Sequence, residues 1–328
     1  MDYDSISKEI YANAKSDRAL VLIDGFGKIN HTISLALEGP NSIKGIISNS
    51  FRNSKIQLFD SETGLYTLSE DGTIHSKVPL PYNYLAISSQ PGKVFNPWEN
   101  ELAYPRPINM DSVGGGMEWM AKNLYTLPIL EVMDTLTQKI RYTMDFPQNS
   151  MYADGNFYFF PFPMVQQFGD RWYLYFWKEL KYFVYKKEGE ELVLEKAVDM
   201  NVEDAVLQTP LPFSQAEQYI QLTQNNKAGY IHQLYHFRGK TIVIYSKGIP
   251  EERVFLSQKN PSLELVDKTY AAVFDENNDL LKNDIPVPEG LFFSRAITEN
   301  GEILAMKNQD YFGAEEDFVI VYKLKLLN

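Results

Sequence analysis

Leu65-Tyr-Thr-Leu-Ser-Glu-Asp-Gly-Thr-Ile74 is an apolar strand, an acidic turn and the start of a second strand, and the chain repeats that phrase along its length. Asp71-Gly72 supplies the left-handed backbone preference of a tight hairpin. On the N-terminal side the phrase reads Ala19-Leu-Val-Leu-Ile-Asp-Gly-Phe-Gly-Lys-Ile29. On the C-terminal side it reads Ile129-Leu-Glu-Val-Met-Asp-Thr-Leu-Thr-Gln-Lys-Ile140, Tyr182-Phe-Val-Tyr-Lys-Lys-Glu-Gly-Glu-Glu-Leu192 and Tyr270-Ala-Ala-Val-Phe-Asp-Glu-Asn-Asn-Asp-Leu280. The first four copies start roughly 45 to 65 residues apart with no helical periodicity between them, the one-dimensional trace of a blade-by-blade β-propeller. Five clear hairpin phrases plus weaker closing segments predict a six-bladed β-propeller with four-stranded antiparallel blades, five or seven blades being the alternatives.

All 328 residues fit one closed ring, since all-β propellers exceed the usual domain length. Residues 1–17 read as an N-terminal arm or short helix, because Ile6 and Ile10 stand four apart. An outlying first hairpin and a final strand predict that strands from both termini close the ring and remove the open sheet edge. Predicted strands include Ile43 to Ser48, Lys55 to Phe59, Asn156 to Phe160, Arg171 to Trp177, Gly229 to Phe237 and Leu291 to Ala296. A short helix is expected around Ser214 to Thr223. Trp172-Tyr-Leu-Tyr-Phe-Trp177 is apolar at both parities, so both faces of that strand must be covered.

With 44% hydrophobic and 14% aromatic residues the chain has ample core material. A formal charge of −12 disfavours phosphate backbones and anionic headgroups, so nucleic acid is not an expected partner. The absence of cysteine excludes disulfides, thiolate metal sites and cysteine nucleophiles. No apolar run is long enough for a transmembrane helix, and no signal peptide begins the chain. A native Met1 points to the cytoplasm; a removed leader would allow the envelope and a lipid anchor.

The turn-and-strand text carries a resemblance. Leu35-Ala-Leu-Glu-Gly-Pro-Asn-Ser-Ile43, Lys55-Ile-Gln-Leu-Phe-Asp60 and Gly64 to Ile74 resemble the opening blade of TolB-like six-bladed propellers. Asn300-Gly-Glu-Ile-Leu-Ala-Met-Lys307 and Glu316-Asp-Phe-Val-Ile-Val-Tyr-Lys323 are similar to that family's last blade. These proteins abound as uncharacterised envelope lipoproteins of gut Bacteroidetes. The resemblance implies the propeller fold, a signal peptide and a lipid-anchor cysteine, and brings no catalytic motif.

No catalytic residue, metal site or cofactor site emerges from the motifs. His232 and His236 stand four apart on a predicted strand, about 13 Å at ~3.3 Å per residue, too far to share one ion. Asp275-Glu-Asn-Asn-Asp279 begins like a calcium loop, but Leu280 replaces the glycine and Pro286 the bidentate glutamate, so it reads as a turn. Gly114-Gly115-Gly116 lacks the strand-to-helix context of a phosphate cradle. The irregular Pro- and Gly-rich stretch from Pro91 to Trp119 is the expected binding surface, with Trp98, Tyr104, Arg106 and Trp119 as its ligand-binding candidates. His232 and Arg295 complete the set, Arg295 and Arg106 offering a fork to a carboxylate. The aromatic run Asn156 to Pro163 reads as inter-blade core. The expected function is a non-catalytic scaffold for a peptide, protein or glycan, bound through loops on one face. The alternative is a polysaccharide hydrolase or lyase using channel carboxylates, which strongly shifted carboxylate pKa values would favour.

Overall fold

The computed structural model describes residues 1–4, 7–14, 19–52, 55–86, 92–112, 123–260, 265–313 and 320–325. Its strands form antiparallel meanders, each strand paired with the next in sequence. The first sheet contains β1 (Asp2–Asp4), β2 (Glu9–Ala14), β3 (Ala19–Ile23) and β4 (Ile29–Ser34). The second contains β5 (Ile46–Arg52), β6 (Lys55–Asp60), β7 (Gly64–Ser69) and β8 (Ile74–Val78). A small ladder pairs β9 (Tyr84–Leu85) with a later strand. The third sheet has β10 (Glu101–Pro105), then, after β11 (Ile108–Asn109, the partner of β9), β12 (Leu130–Asp134) and β13 (Ile140–Thr143). Phe95 bridges Ala103 beside β10, a fourth strand reduced to a bridge.

The fourth sheet contains β14 (Pro163–Phe168), β15 (Arg171–Phe176), β16 (Lys181–Glu188) and β17 (Glu191–Asp199). The fifth contains β18 (Lys227–Phe237), β19 (Lys240–Ile249), β20 (Thr269–Phe274) and β21 (Leu280–Pro286). The sixth contains β22 (Leu291–Ile297), β23 (Ile303–Lys307) and β24 (Val321–Leu324). These six sheets are the blades of a six-bladed β-propeller.

The chain packs as two compact units, residues 1–111, 130–141 and 290–328 in one, and 112–129 and 142–289 in the other. In the first, strand alternation distributes the core. Ile56, Leu58, Tyr66 and Leu68 of the second sheet pack with Tyr11, Leu20 and Leu22 of the first. Phe59 and Leu65, one residue out of phase, pack instead with Leu102, Tyr104 and Met133 of the third. Period-two geometry thus covers both faces of the second sheet. The two ends of the chain meet by packing: β1 lies against β22, and Ile10, Ala296 and Leu304 share a cluster. Among the described residues no sheet takes strands from both ends.

In the second unit, Trp172 to Phe176 are all buried, so the doubly apolar strand has both faces covered. Tyr173, Tyr175, Tyr182 and Val184 pack against Ile231, Leu234, Val243 and Tyr245 of the fifth sheet. The expected short helix is present as a 3-10 turn, Phe213–Gln218, running into one α-turn, Tyr219–Leu222.

Three local readings are corrected. Residues 2–4 and 9–14 are strands; Ile10 and Tyr11 are buried by sheet packing, which overrides the four-residue spacing. Asn156 to Phe160 is irregular, with Phe159 in the left-handed region that regular extended backbone avoids. The Pro91 to Trp119 stretch contains strands β10 and β11. Between β19 and β20 lies a helix, Glu251–Lys259, started by Pro250 with two acids in its first turn.

Candidate functional site

The two ends of the fourth and fifth sheets differ. At one end, consecutive strands join through short turns at Gly169-Asp170, Gly189-Glu190, Arg238-Gly239 and residues 275–279. At the other end lie residues 154–162 before β14, 177–180 between β15 and β16, 200–226 between β17 and β18, and 250–268 between β19 and β20. Long connections on a rigid scaffold are where recognition is built.

Those connections and the start of β18 hold a continuous row of half-buried rings. Phe159 and Phe160 lie 4.8 Å apart by centroid, Phe160 and Phe162 6.0 Å, and Phe162 and Trp177 6.2 Å. Trp177 then meets Tyr230 at 5.3 Å, and Tyr230 meets His232 at 4.4 Å. Tyr219 stacks on Phe159 at the far end, 5.6 Å away.

Backbone geometry fixes each part of the row. Phe159 and Phe162 sit at φ 70° and 43°, costly for a bulky residue and maintained only where the surroundings over-determine it. Those surroundings are specific. The Tyr125 hydroxyl donates to the Phe159 carbonyl and accepts from the Tyr158 N–H at 2.9 Å. Gln208 donates to the Tyr158 carbonyl at 3.0 Å, and Phe157 exchanges backbone hydrogen bonds with Leu211 at 2.7 and 3.1 Å. The loop is also tied below: Glu179 accepts from Ser150 Oγ at 2.6 Å and from the Met151 N–H at 2.9 Å.

Strand β18 bulges at His232, where the register with β19 slips between Ile231 and Gln233. Bulges re-aim side chains at sites of recognition. Here the Ile231 N–H donates to the Trp177 carbonyl at 3.0 Å, which locks Trp177 beside Tyr230. Nearby, Gly248 is at φ 79°, and a Cβ there would lie 2.5 Å from the Gly229 nitrogen and collide with the Lys227 carbonyl. Only glycine permits that close pairing at the start of β18.

Charge at the row is sparse. The Lys178 ammonium sits 5.1 Å from the Trp177 centroid and 5.2 Å from that of Tyr230. Burial, and to a lesser degree Lys227, holds it below the usual lysine range, with Asp267 pulling the other way. Asp267 is itself raised by burial, against a hydrogen bond from Ser246 Oγ at 2.8 Å and the charge of Lys178. Burial drops His232 to about 4, so its ring is neutral at physiological pH.

The other expected residues lie in the first unit or outside the described residues. Trp98 precedes β10 and Arg106 follows it; five strand residues at roughly 3.3 Å each put them at opposite ends of the strand. The Arg141 guanidinium covers Trp98 at 4.1 Å while pairing with Glu101 at 2.6 Å. Tyr104 is buried against Phe59 at 4.8 Å, and its hydroxyl donates to Glu131 at 2.6 Å. Burial raises Glu131, opposed by Tyr104, Tyr82 and the half-buried Arg106. Trp119 and the triple glycine lie outside the described residues. Arg295 is buried at a bulge of β22, its guanidinium donating to Asn49 Oδ1 at 2.5 Å and to the Gly92 carbonyl. Its fork is therefore engaged by backbone and amide oxygens.

The sequence reading missed Trp177, Lys178, Tyr230, Phe162 and Asp267 as a group. The available signal was Pro161 and Pro163 bracketing Phe162 in a run with no strand-compatible alternation.

No family model matches the chain, and no curated protein matches it. Among solved structures it is similar to a member of the DUF4221 family from Bacteroides vulgatus, with a TM-score of 0.64 and 12% identity over 96% of this chain and 88% of that one. A Bacteroides fragilis protein named, by assignment only, as exported gives a TM-score of 0.57 and 15% identity over 93% and 79%. At these identities the likeness is one of fold.

Proposed function

We propose that the chain is a binding scaffold that takes an extended ligand, a glycan or peptide, across the loop end of its fourth and fifth sheets. The observation that carries this is the row of half-buried rings from Phe159 to His232, two of whose phenylalanines sit in left-handed backbone. Rings that served only as core filling would not require strained backbone, and rings retained at that cost fit a ligand platform. Burial raises Asp267, Glu131 and, to about 7, Glu179, each of which accepts a hydrogen bond from a neighbouring hydroxyl, and raised carboxyls keep polysaccharide hydrolysis as the second reading. A place in the cell envelope, with a lipid anchor on the full-length protein, belongs to the same proposal; it is supported by the Bacteroides neighbours, one of them named as exported.

A thermal-shift screen against oligosaccharide and peptide panels tests the reading, because a ligand of the native fold raises the melting temperature by mass action. Trp177→Ala is expected to abolish the shift of any hit, whereas Trp98→Ala leaves it in place. A hit that survives Trp177→Ala and is lost in Trp98→Ala would move the site back to the first unit.

A further inference from the structure

The ring row carries one feature that selects among ligands. Lys178 is half-buried, lies over two rings and, among the described residues, makes no ion pair within 4.0 Å. Lys227, close enough to depress it, makes none either. In a chain of net charge −12, Lys178 lies at the aromatic platform with Lys227 as a second cation acting on it and Asp267 as the opposing carboxylate. The single nearby carboxylate acting on Lys178, Asp267, is partly engaged by Ser246. The ring quadrupoles favour the charged ammonium and hold it in place, which makes Lys178 a fixed cation with unused pairing capacity at the edge of a hydrophobic platform.

Resting on the binding reading above, we propose that the ligand is an anionic carbohydrate, a glycan bearing uronate carboxylates. The C–H faces of its pyranose rings would lie on Trp177 and Phe162, and one carboxylate would meet the Lys178 ammonium. A pyranose suits this surface because it presents an apolar face and a polar rim together, matching rings edged by the Lys178 ammonium. An acidic peptide would satisfy Lys178 but offers no sugar C–H face to rings whose neighbouring planes are tilted by 54° to 72°.

The test is affinity electrophoresis and calorimetry of the full chain with polygalacturonate, with its methyl ester as the neutral counterpart, and with a poly-glutamate peptide. The expected result is binding to the uronate polymer at least tenfold tighter than to the ester. Lys178→Met, which keeps the aliphatic stem, should lose that preference, and Lys178→Arg should keep it. Equal binding of acid and ester overturns the anionic inference while leaving the ring platform intact, and it needs no variant to fold. Binding of poly-glutamate with the same dependence on Lys178 overturns the carbohydrate class. Uronate binding that survives Trp177→Ala overturns the platform itself, and no binding to either polysaccharide overturns the inference outright.

Discussion

Glu179 shows how a single side chain ties the candidate site to pH. It is buried, and burial pushes its carboxyl up to about 7 despite hydrogen bonds from Ser150 and Met151 and the pull of Lys181. The folded state therefore holds the proton more tightly than the unfolded chain, whose carboxyl is ordinary. Its favourable contribution is complete below the usual glutamate range and disappears as pH rises through about 7. Glu179→Gln mimics the protonated form, its amide donating to Ser150 Oγ while its oxygen accepts from Met151. Relative to the parent, the variant should gain stability between pH 5 and pH 8, by at most about 3 kcal/mol at the alkaline end, read as a rising difference in melting temperature. Parallel melting curves at both pH values would refute this account. None of this could be read from the sequence, because Glu179 is one acid among forty-three and its burial depends on a loop thirty residues upstream. The same holds for Tyr104: its residue type suggested a binding ring, but strand phase turned it inward to Glu131.

At the scale of elements, strands with an alternating or doubly apolar text were legible. Lys55–Asp60, Arg171–Phe176 and Lys227–Phe237 stand where strands were predicted at Lys55 to Phe59, Arg171 to Trp177 and Gly229 to Phe237, because each must bury one or both faces. The segment from Asn156 to Pro163 was not legible. An apolar run that short has the same composition whether it is a buried strand or a loop presenting its rings, and only contacts from Tyr125 and Gln208, remote in sequence, decide between them. The left-handed Phe162 gives a direct test. Phe162→Gly relieves a backbone cost of about 1–3 kcal/mol while deleting a half-buried ring, so its stability should stay within about 1 kcal/mol of the parent. A fully buried ring such as Phe176 should cost about 3–5 kcal/mol on truncation to alanine. Urea midpoints of the two variants check the contrast, and ligand affinity should fall in the Phe162 variant. A loss at Phe162→Gly as large as that at Phe176→Ala would show the ring to be ordinary core.

For the whole molecule, the hairpin repeat was enough to declare a propeller, because a blade is a local meander and each copy of the phrase encodes its own turn; the sixth blade rested on the weaker closing segments, where no clear phrase stands. Where the chain's two ends meet was less legible, since that joint is made by residues hundreds of positions apart and not by a repeated phrase. In the first unit, β1 packs between β5 and β22, and the contact is polar as well as apolar. Arg295 of β22 donates to Asn49 of β5 and to Gly92, while Asp2 of β1 pairs with Lys93 at 3.1 Å. Burial works against the Asp2 carboxylate, but Lys93 and then Arg295 outweigh it and hold the group below its usual range. The two cations and one anion thus form a buried set in which each member depends on the others, and removing one strands a charge or an acceptor at a cost of about 3–5 kcal/mol. Arg295→Met should lower the urea midpoint by that amount. Arg295→Lys should recover only part of it, because an ammonium cannot span the Gly92 carbonyl and the Asn49 amide as the planar fork does. An Arg295→Met protein as stable as the parent would mean that the apolar cluster of Ile10, Ala296 and Leu304 closes the joint without the polar set.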